Sequence, residues 1–251
     1  MLNYYIYKAG EFLMLSLPWK IAYKLGAFLA TLQFLISKKD REAVINNLCV
    51  ILPKEKKHNL IKKAKEVFIN FSLYLVEFFR SSKININYIR DNFSIIGTEN
   101  LDNALKKGKG AIILTAHLGN WELGGMVLSL LGYPVMVVAL SHQNRKINEF
   151  FKKRRESKGI EVVSLGVAIK HCYKGLEDNK LVAIAGDRDF SNSSYPVDFL
   201  GRKKQIPRGA AVLAIRTGAP IIPVFVTRHN LSHLVVECFP PLEISANASE
   251  I

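Results

Sequence analysis

Cysteine is scarce in this chain of 251 residues: Cys49, Cys172 and Cys238 are far apart and odd in number. They suggest neither a disulfide framework nor a Cys-x2-Cys metal site, and a reducing, cytoplasmic setting is the simplest expectation. Acidic residues are also few, 21 Asp and Glu against 35 Lys and Arg. The resulting pI of about 9.7 favours anionic partners, among them nucleic acid, anionic lipid and acidic carrier proteins. A positive mean hydropathy beside this much charge suits a peripheral membrane protein better than a nucleic-acid binder, so no nucleic-acid partner is expected. Long apolar runs are missing too. The longest weakly polar stretch, residues 25–36, falls short of the roughly 20 residues a standard span needs. No small-residue cleavage site follows an apolar segment, so no signal peptide is read.

Several catalytic signatures are absent as well. The chain has no Gly-x-Ser-x-Gly elbow, since Val162-Val163-Ser164-Leu165-Gly166 lacks the first glycine. Gly108 and Gly110 precede a strand and therefore do not make a dinucleotide fingerprint. His229 and His233 have metal-like spacing, but no glutamate follows the first histidine, and the segment reads as a turn. Neither a metal nor a cofactor is expected.

What is present is a repeating pattern. Apolar runs at residues 111–114, 134–140, 160–163 and 181–185 alternate with helical segments at 120 onward, 144–158 and 167–177. A helix opening near Pro207 and two further strands, 221–227 and 234–239, follow. This alternation predicts an α/β fold with a mostly parallel central sheet flanked by helices. Residues 91–109 and the polar stretch 187–204 read as irregular. Residues 1–36 are apolar but carry Lys8, Glu11, Lys20 and Lys24, and read either as a membrane-interface helical segment or as a core helix pair. The expected division is thus 1–36 and an α/β domain over 37–251. Between them lies a helical stripe of Leu60, Ala64, Val67, Phe68, Phe71 and Leu75 that reads as core packing.

The chain is organised around Gly110 to Gly125, GAIILTAHLGNWELGG. A strand, a polar turn and a helix in succession are where open α/β sheets keep their ligands. Gly119 eases the turn, and Asn120 is a good N-cap. If the helix begins there, His117 can fold back toward Glu122 in the first helical turn. A histidine so held is a general base with its tautomer fixed, able to deprotonate a hydroxyl without a serine or cysteine nucleophile.

HLGNWE followed by LGG resembles the His-x4-acid motif of the lysophospholipid acyltransferase superfamily, in the form used by the bacterial lipid A biosynthesis acyltransferases. Residues 41–52, Arg155-x3-Gly159, the Asp187 region and residues 199–223 resemble that family in its order, although the family often has glutamine where this chain has Arg188. The resemblance implies transfer of an acyl chain from acyl carrier protein or acyl-CoA to a glycolipid hydroxyl, most simply on a lipid A precursor, at the cytoplasmic face of the bacterial inner membrane. It implies His117 as base, Glu122 as its partner, and Gly119, Asn120, Arg155 and Asp187 as substrate-binding residues. Arg155 would meet a phosphate or the developing oxyanion. A mannosylated phosphoinositide acceptor, and a catalytically silent basic membrane-binding protein, are the alternatives. Relatives usually continue into a C-terminal helical region, so the chain reads either as a fragment or as a short variant.

Overall fold

The computed structural model describes residues 2–189 and 194–244, without the side chains of residues 2, 3 and 167. Three residues of the Ser-Asn-Ser-Ser stretch at 191–194 therefore lie outside the described residues, as does the end of the chain. Contacts divide the chain into two units: Leu2–Ser81 with Asp198–Arg202, and Ser82–Val197 with the chain from Lys203 onward.

The first unit is helical: α1 (Leu2–Ser16), α2 (Trp19–Ile36), α3 (Lys38–Ile51) and α4 (Lys57–Phe79). Close approach of α2 to α4 depends on Gly26, where an added Cβ would lie 2.8 Å from a Val76 methyl. Ser72 Oγ donates to the Gly26 carbonyl at 2.8 Å, and Tyr23 donates its hydroxyl to buried Glu77 at 2.6 Å. Ala22, Tyr23, Ala30 and Phe34 are buried in this packing. The compact unit that holds α1 and α2 thus continues through α4, well past residue 36. Its outer face differs from ordinary core packing. Phe12 is 75% exposed and Ile36 80%, and Val67 and Phe71, from the stripe expected to be core, stay exposed. An open apolar groove of about 610 Å³ runs past Leu29, Phe68, Phe71 and Leu75. Among the described residues, no helix is long and apolar enough to cross a membrane.

The second unit is α/β. It comprises α5 (Ile86–Asn92), β1 (Phe93–Ile96), α6 (Thr98–Leu105), β2 (Ala111–Thr115), α7 (Trp121–Leu130), β3 (Val135–Ala139), α8 (Arg145–Glu156) and β4 (Glu161–Ser164). After these come α9 (Ala168–Glu177), β5 (Leu181–Ala185), β6 (Ser194–Phe199), β7 (Arg202–Pro207), α10 (Gly209–Thr217), β8 (Ile221–Arg228) and β9 (Leu234–Cys238), with the segment Asp198–Arg202 at the turn from β6 to β7 counted in the first unit. Seven strands form one sheet in the order β1-β9-β8-β2-β5-β3-β4, parallel except where β8 meets β9. The central strands are apolar on both faces because helices cover both sides of a parallel sheet. Ile112, Leu181, Val182 and Ile222 are fully buried. Each such side chain contributes about 1.5–3 kcal/mol relative to exposure.

The fold class and six of the strands agree with the sequence pattern. Two stretches read as irregular differ. Residues 91–109 contain β1 and α6, and residues 187–204 contain most of the two-stranded β6-β7 hairpin. Strand β1 has only four residues at a sheet edge, with exposed Ile96, so its sequence carries no sustained alternation.

Candidate active site

The site begins with the register of two central strands. Strands β2 and β5 are parallel neighbours with Thr115 opposite Ala185, and the Gly186 N–H continues the pairing to the Thr115 carbonyl at 2.9 Å. Two residues beyond each strand's end stand His117 and Asp187, so the register that buries Ile112 and Val182 also sets this pair side by side. His117 Nδ1 lies 2.8 Å from Asp187 Oδ1, and the His117 backbone N–H donates to Oδ2 at 3.1 Å. Both carboxylate oxygens are thereby used to fix one histidine. The carboxylate selects the tautomer protonated at Nδ1 and leaves Nε2 with the lone pair. Trp121 packs edge-on to the imidazole, with ring centroids 4.7 Å apart. Burial works to raise the Asp187 carboxyl. Hydrogen bonds from the His117 ring and backbone N–H more than offset this and hold it below the ordinary carboxylate value.

Gly119 and Asn120 shape the turn. Gly119 has φ of +61°, and a Cβ there would sit 1.7 Å from the Val226 carbonyl oxygen. Only glycine lets the turn lie this close to β8, where the Asn120 N–H reaches the same carbonyl at 3.2 Å. Asn120 caps α7 as expected, its side-chain oxygen accepting from Leu123 N at 3.1 Å. At 1% exposure this side chain is committed to the turn that carries His117.

Glu122 does not hold the imidazole in this structure, which corrects the pairing expected from the His-x4-acid spacing. It faces Arg155: Nε donates to Oε2 at 2.9 Å and Nη2 to Oε1 at 2.5 Å. This is the two-pronged geometry a planar guanidinium favours. Side-chain exposures of 15% and 10% make it a largely buried ion pair. Its placement is also favourable along the helices, because Glu122 lies in the first turn of α7 and Arg155 in the last turn of α8. The Arg155 fork is therefore spent on Glu122, where a phosphate or oxyanion contact was expected. Its remaining face lines a polar cavity of about 230 Å³ with Ser141, Asn148, Lys152 and Ser164, at the carboxyl ends of β3 and β4. Lys152 is half-buried there, whereas Lys153 is exposed.

Asp187 was legible as a substrate-binding residue implied by the resemblance, but its partnership with His117 was not. The missing information was that β2 and β5 are adjacent although five elements intervene in the sequence. Arg188 beside Asp187 is exposed. His229 and His233 are joined through backbone atoms across the β8-β9 turn, and the His233 ring lies 2.9 Å from Ser94 Oγ. Among the described residues no group of metal-ligating side chains gathers.

The sequence profile described as "Bacterial lipid A biosynthesis acyltransferase" matches residues 1–251. The chain belongs to this family. It is 28% identical over 225 residues to a phosphatidylinositol mannoside acyltransferase of Mycolicibacterium smegmatis, covering 87% of this chain and 72% of that protein. Against the protein of the same name from Mycobacterium tuberculosis it is 31% identical, over 61% of this chain and 51% of the relative. A lipid A biosynthesis palmitoleoyltransferase of Escherichia coli is 23% identical over 86% of this chain and 71% of its own. The chain thus spans between about half and three quarters of the length of these relatives. The His-x4-acid stretch of this chain lies between β2 and α7, with its histidine on Asp187 and its acid on Arg155.

Proposed function

We propose that this family member is an O-acyltransferase that carries a fatty acyl chain from acyl carrier protein or acyl-CoA to a hydroxyl of a membrane glycolipid. The observation that carries the reading is the His117–Asp187 pair at the carboxyl edge of the sheet, with Nε2 left as the basic atom. In the reaction Nε2 takes the proton of the acceptor hydroxyl as its oxygen attacks the thioester carbonyl carbon. The tetrahedral intermediate collapses with cleavage of the carbon–sulfur bond, and the imidazolium returns its proton to the departing thiolate. Asp187 remains ionised throughout and stabilises the imidazolium. Glu122 and Arg155 are positioning residues that lock α7 to α8 and so hold the histidine turn.

The net charge of +14 supports an acidic donor, which describes both carrier protein and CoA. Exposed apolar side chains on the helical unit, with the basic surface, support action at the cytoplasmic face of the bacterial inner membrane. A lipid A precursor is the acceptor that the family's description supports. Relatives named phosphatidylinositol mannoside acyltransferases support a second reading, a mannosylated phosphoinositide. Incubating the purified chain with donor thioesters and each glycolipid tests both readings. Free thiol and an acylated lipid of matching mass are expected with one glycolipid class, and thiol release indifferent to glycolipid would contradict the proposal.

A further inference from the structure

Phe199, Leu200 and Gly201 belong to the stretch that resembles the family, yet they take no part in the chemistry above. They form the tip of the β6-β7 hairpin, with Leu200 at φ of 51° and Gly201 at φ of 73°. Two successive left-handed residues make the tight hairpin turn that ordinarily carries Asn-Gly or Asp-Gly. Gly201 adopts this conformation freely, but leucine does so only against the contact of its Cβ with the backbone. The strain is not offset by burial. Leu200 is 52% exposed, Phe199 58%, and Tyr195 on the same hairpin 60%. In water this position therefore carries two penalties, a strained backbone and an exposed apolar side chain, where asparagine would carry neither. Directly after the turn come Arg202, Lys203 and Lys204, all exposed. A two-stranded hairpin is by itself marginal in water, and neither penalty at Leu200 adds to its stability.

We propose that this tip is a wedge that enters an anionic bilayer surface. Phe199 and Leu200 would reach the boundary of the acyl chains, with Arg202, Lys203 and Lys204 at phosphate level and Tyr195 in the interfacial layer. Apolar insertion and attraction to anionic headgroups reinforce one another in such a contact. The inference rests on the membrane-glycolipid reading of the function and assigns it a specific point of contact. An acidic carrier protein could also meet the basic strand, but it would give no use to an exposed Phe-Leu tip.

The test uses the full chain with vesicles of phosphatidylcholine alone and mixed with phosphatidylglycerol. Phe199→Cys in a Cys49→Ser background takes an environment-sensitive fluorophore at position 199, because Cys172 and Cys238 are buried. Mixed vesicles should shift its emission to the blue and allow quenching by lipids bearing a nitroxide on the acyl chain. Leu200→Asn, which relieves the turn, should leave the melting temperature equal or higher while lowering vesicle affinity roughly tenfold. A residue with only a structural role would not separate stability from binding in that direction. If the chain sediments with mixed vesicles while the fluorophore stays aqueous and Leu200→Asn binds as well as the native chain, the wedge is overturned and the membrane reading stands. If Leu200→Asn and Arg202→Glu instead weaken only carrier-protein binding, the tip is a protein contact and the proposal is again overturned. Absence of any vesicle binding by the native chain would overturn both the wedge and the membrane reading.

Discussion

His117 is useful to the proposed reaction because Asp187 occupies one of its nitrogens and leaves the other to the acceptor hydroxyl. His117→Ala should therefore abolish acyl transfer while the protein remains folded. Asp187→Asn keeps the shape but removes the charge that fixes the tautomer, and should lower kcat by about 10²- to 10⁴-fold, with little change in KM. Stability should follow pH in a defined sense. The folded Asp187 carboxyl lies below its ordinary value, because the hydrogen bonds from His117 outweigh the effect of burial. Its stabilisation is therefore present above the unfolded carboxylate pKa and is lost as pH falls through the folded one. Urea unfolding should show Asp187→Asn less stable than the native chain at neutral pH and equal to it in strong acid. A cost that persists in acid would mean that the carboxylate's charge is not what matters.

At the scale of elements, the ion pair between α7 and α8 does the work expected of a helix clamp. Removing the carboxylate that the Arg155 fork grips, as in Glu122→Gln, should destabilise the protein by about 3–5 kcal/mol, because a largely buried ion pair is broken. Combining it with Arg155→Met should recover much of that loss, measurable as a coupling in a double-mutant cycle. Activity should fall with stability in the single variant and return in part with the double one. Gly119→Ala presents a different failure, since its Cβ would collide with the Val226 carbonyl and push the histidine turn off β8. Circular dichroism should show a lowered melting temperature, and the turn's backbone amides should exchange faster with solvent. These elements were largely legible in the sequence. The strand–turn–helix reading around His117, the Asn120 cap and the parallel alternation all depend on local periodicity and local capping. What could not be read was which strands would be neighbours. His117 and Glu122 are close in sequence and so looked like partners, whereas the β2-β5 register brings Asp187, 70 residues away, to the imidazole. Arg155 was recognisable as more than a surface charge, but only the packing of α8 reveals that Glu122 holds its fork. The hairpin escaped for a related reason: its strands are exposed on both faces and lack the apolar alternation that marks a half-buried strand.

For the whole molecule, residues 1–36 are both structural and surface-forming. Their inner side chains are buried against α4 while others, such as Phe12 and Ile36, remain exposed. Deleting them should unfold the helical unit as well as weaken vesicle binding, whereas replacing Phe12 and Ile36 by serine should weaken flotation with anionic vesicles without lowering the melting temperature. High salt should reduce flotation of the intact chain only in part, since screening removes the lysine contribution and leaves the apolar one. The proposed reaction is the direct passage of a thioester's acyl chain to a glycolipid hydroxyl under the control of His117 and Asp187. It is tested most directly by following, in one reaction, free thiol and acylated glycolipid for the native chain, His117→Ala and Asp187→Asn, each verified as folded. The account predicts equal amounts of thiol and acylated lipid from the native chain, none from His117→Ala and a severely slowed reaction from Asp187→Asn. Acyl transfer at the native rate by a folded His117→Ala variant would contradict it.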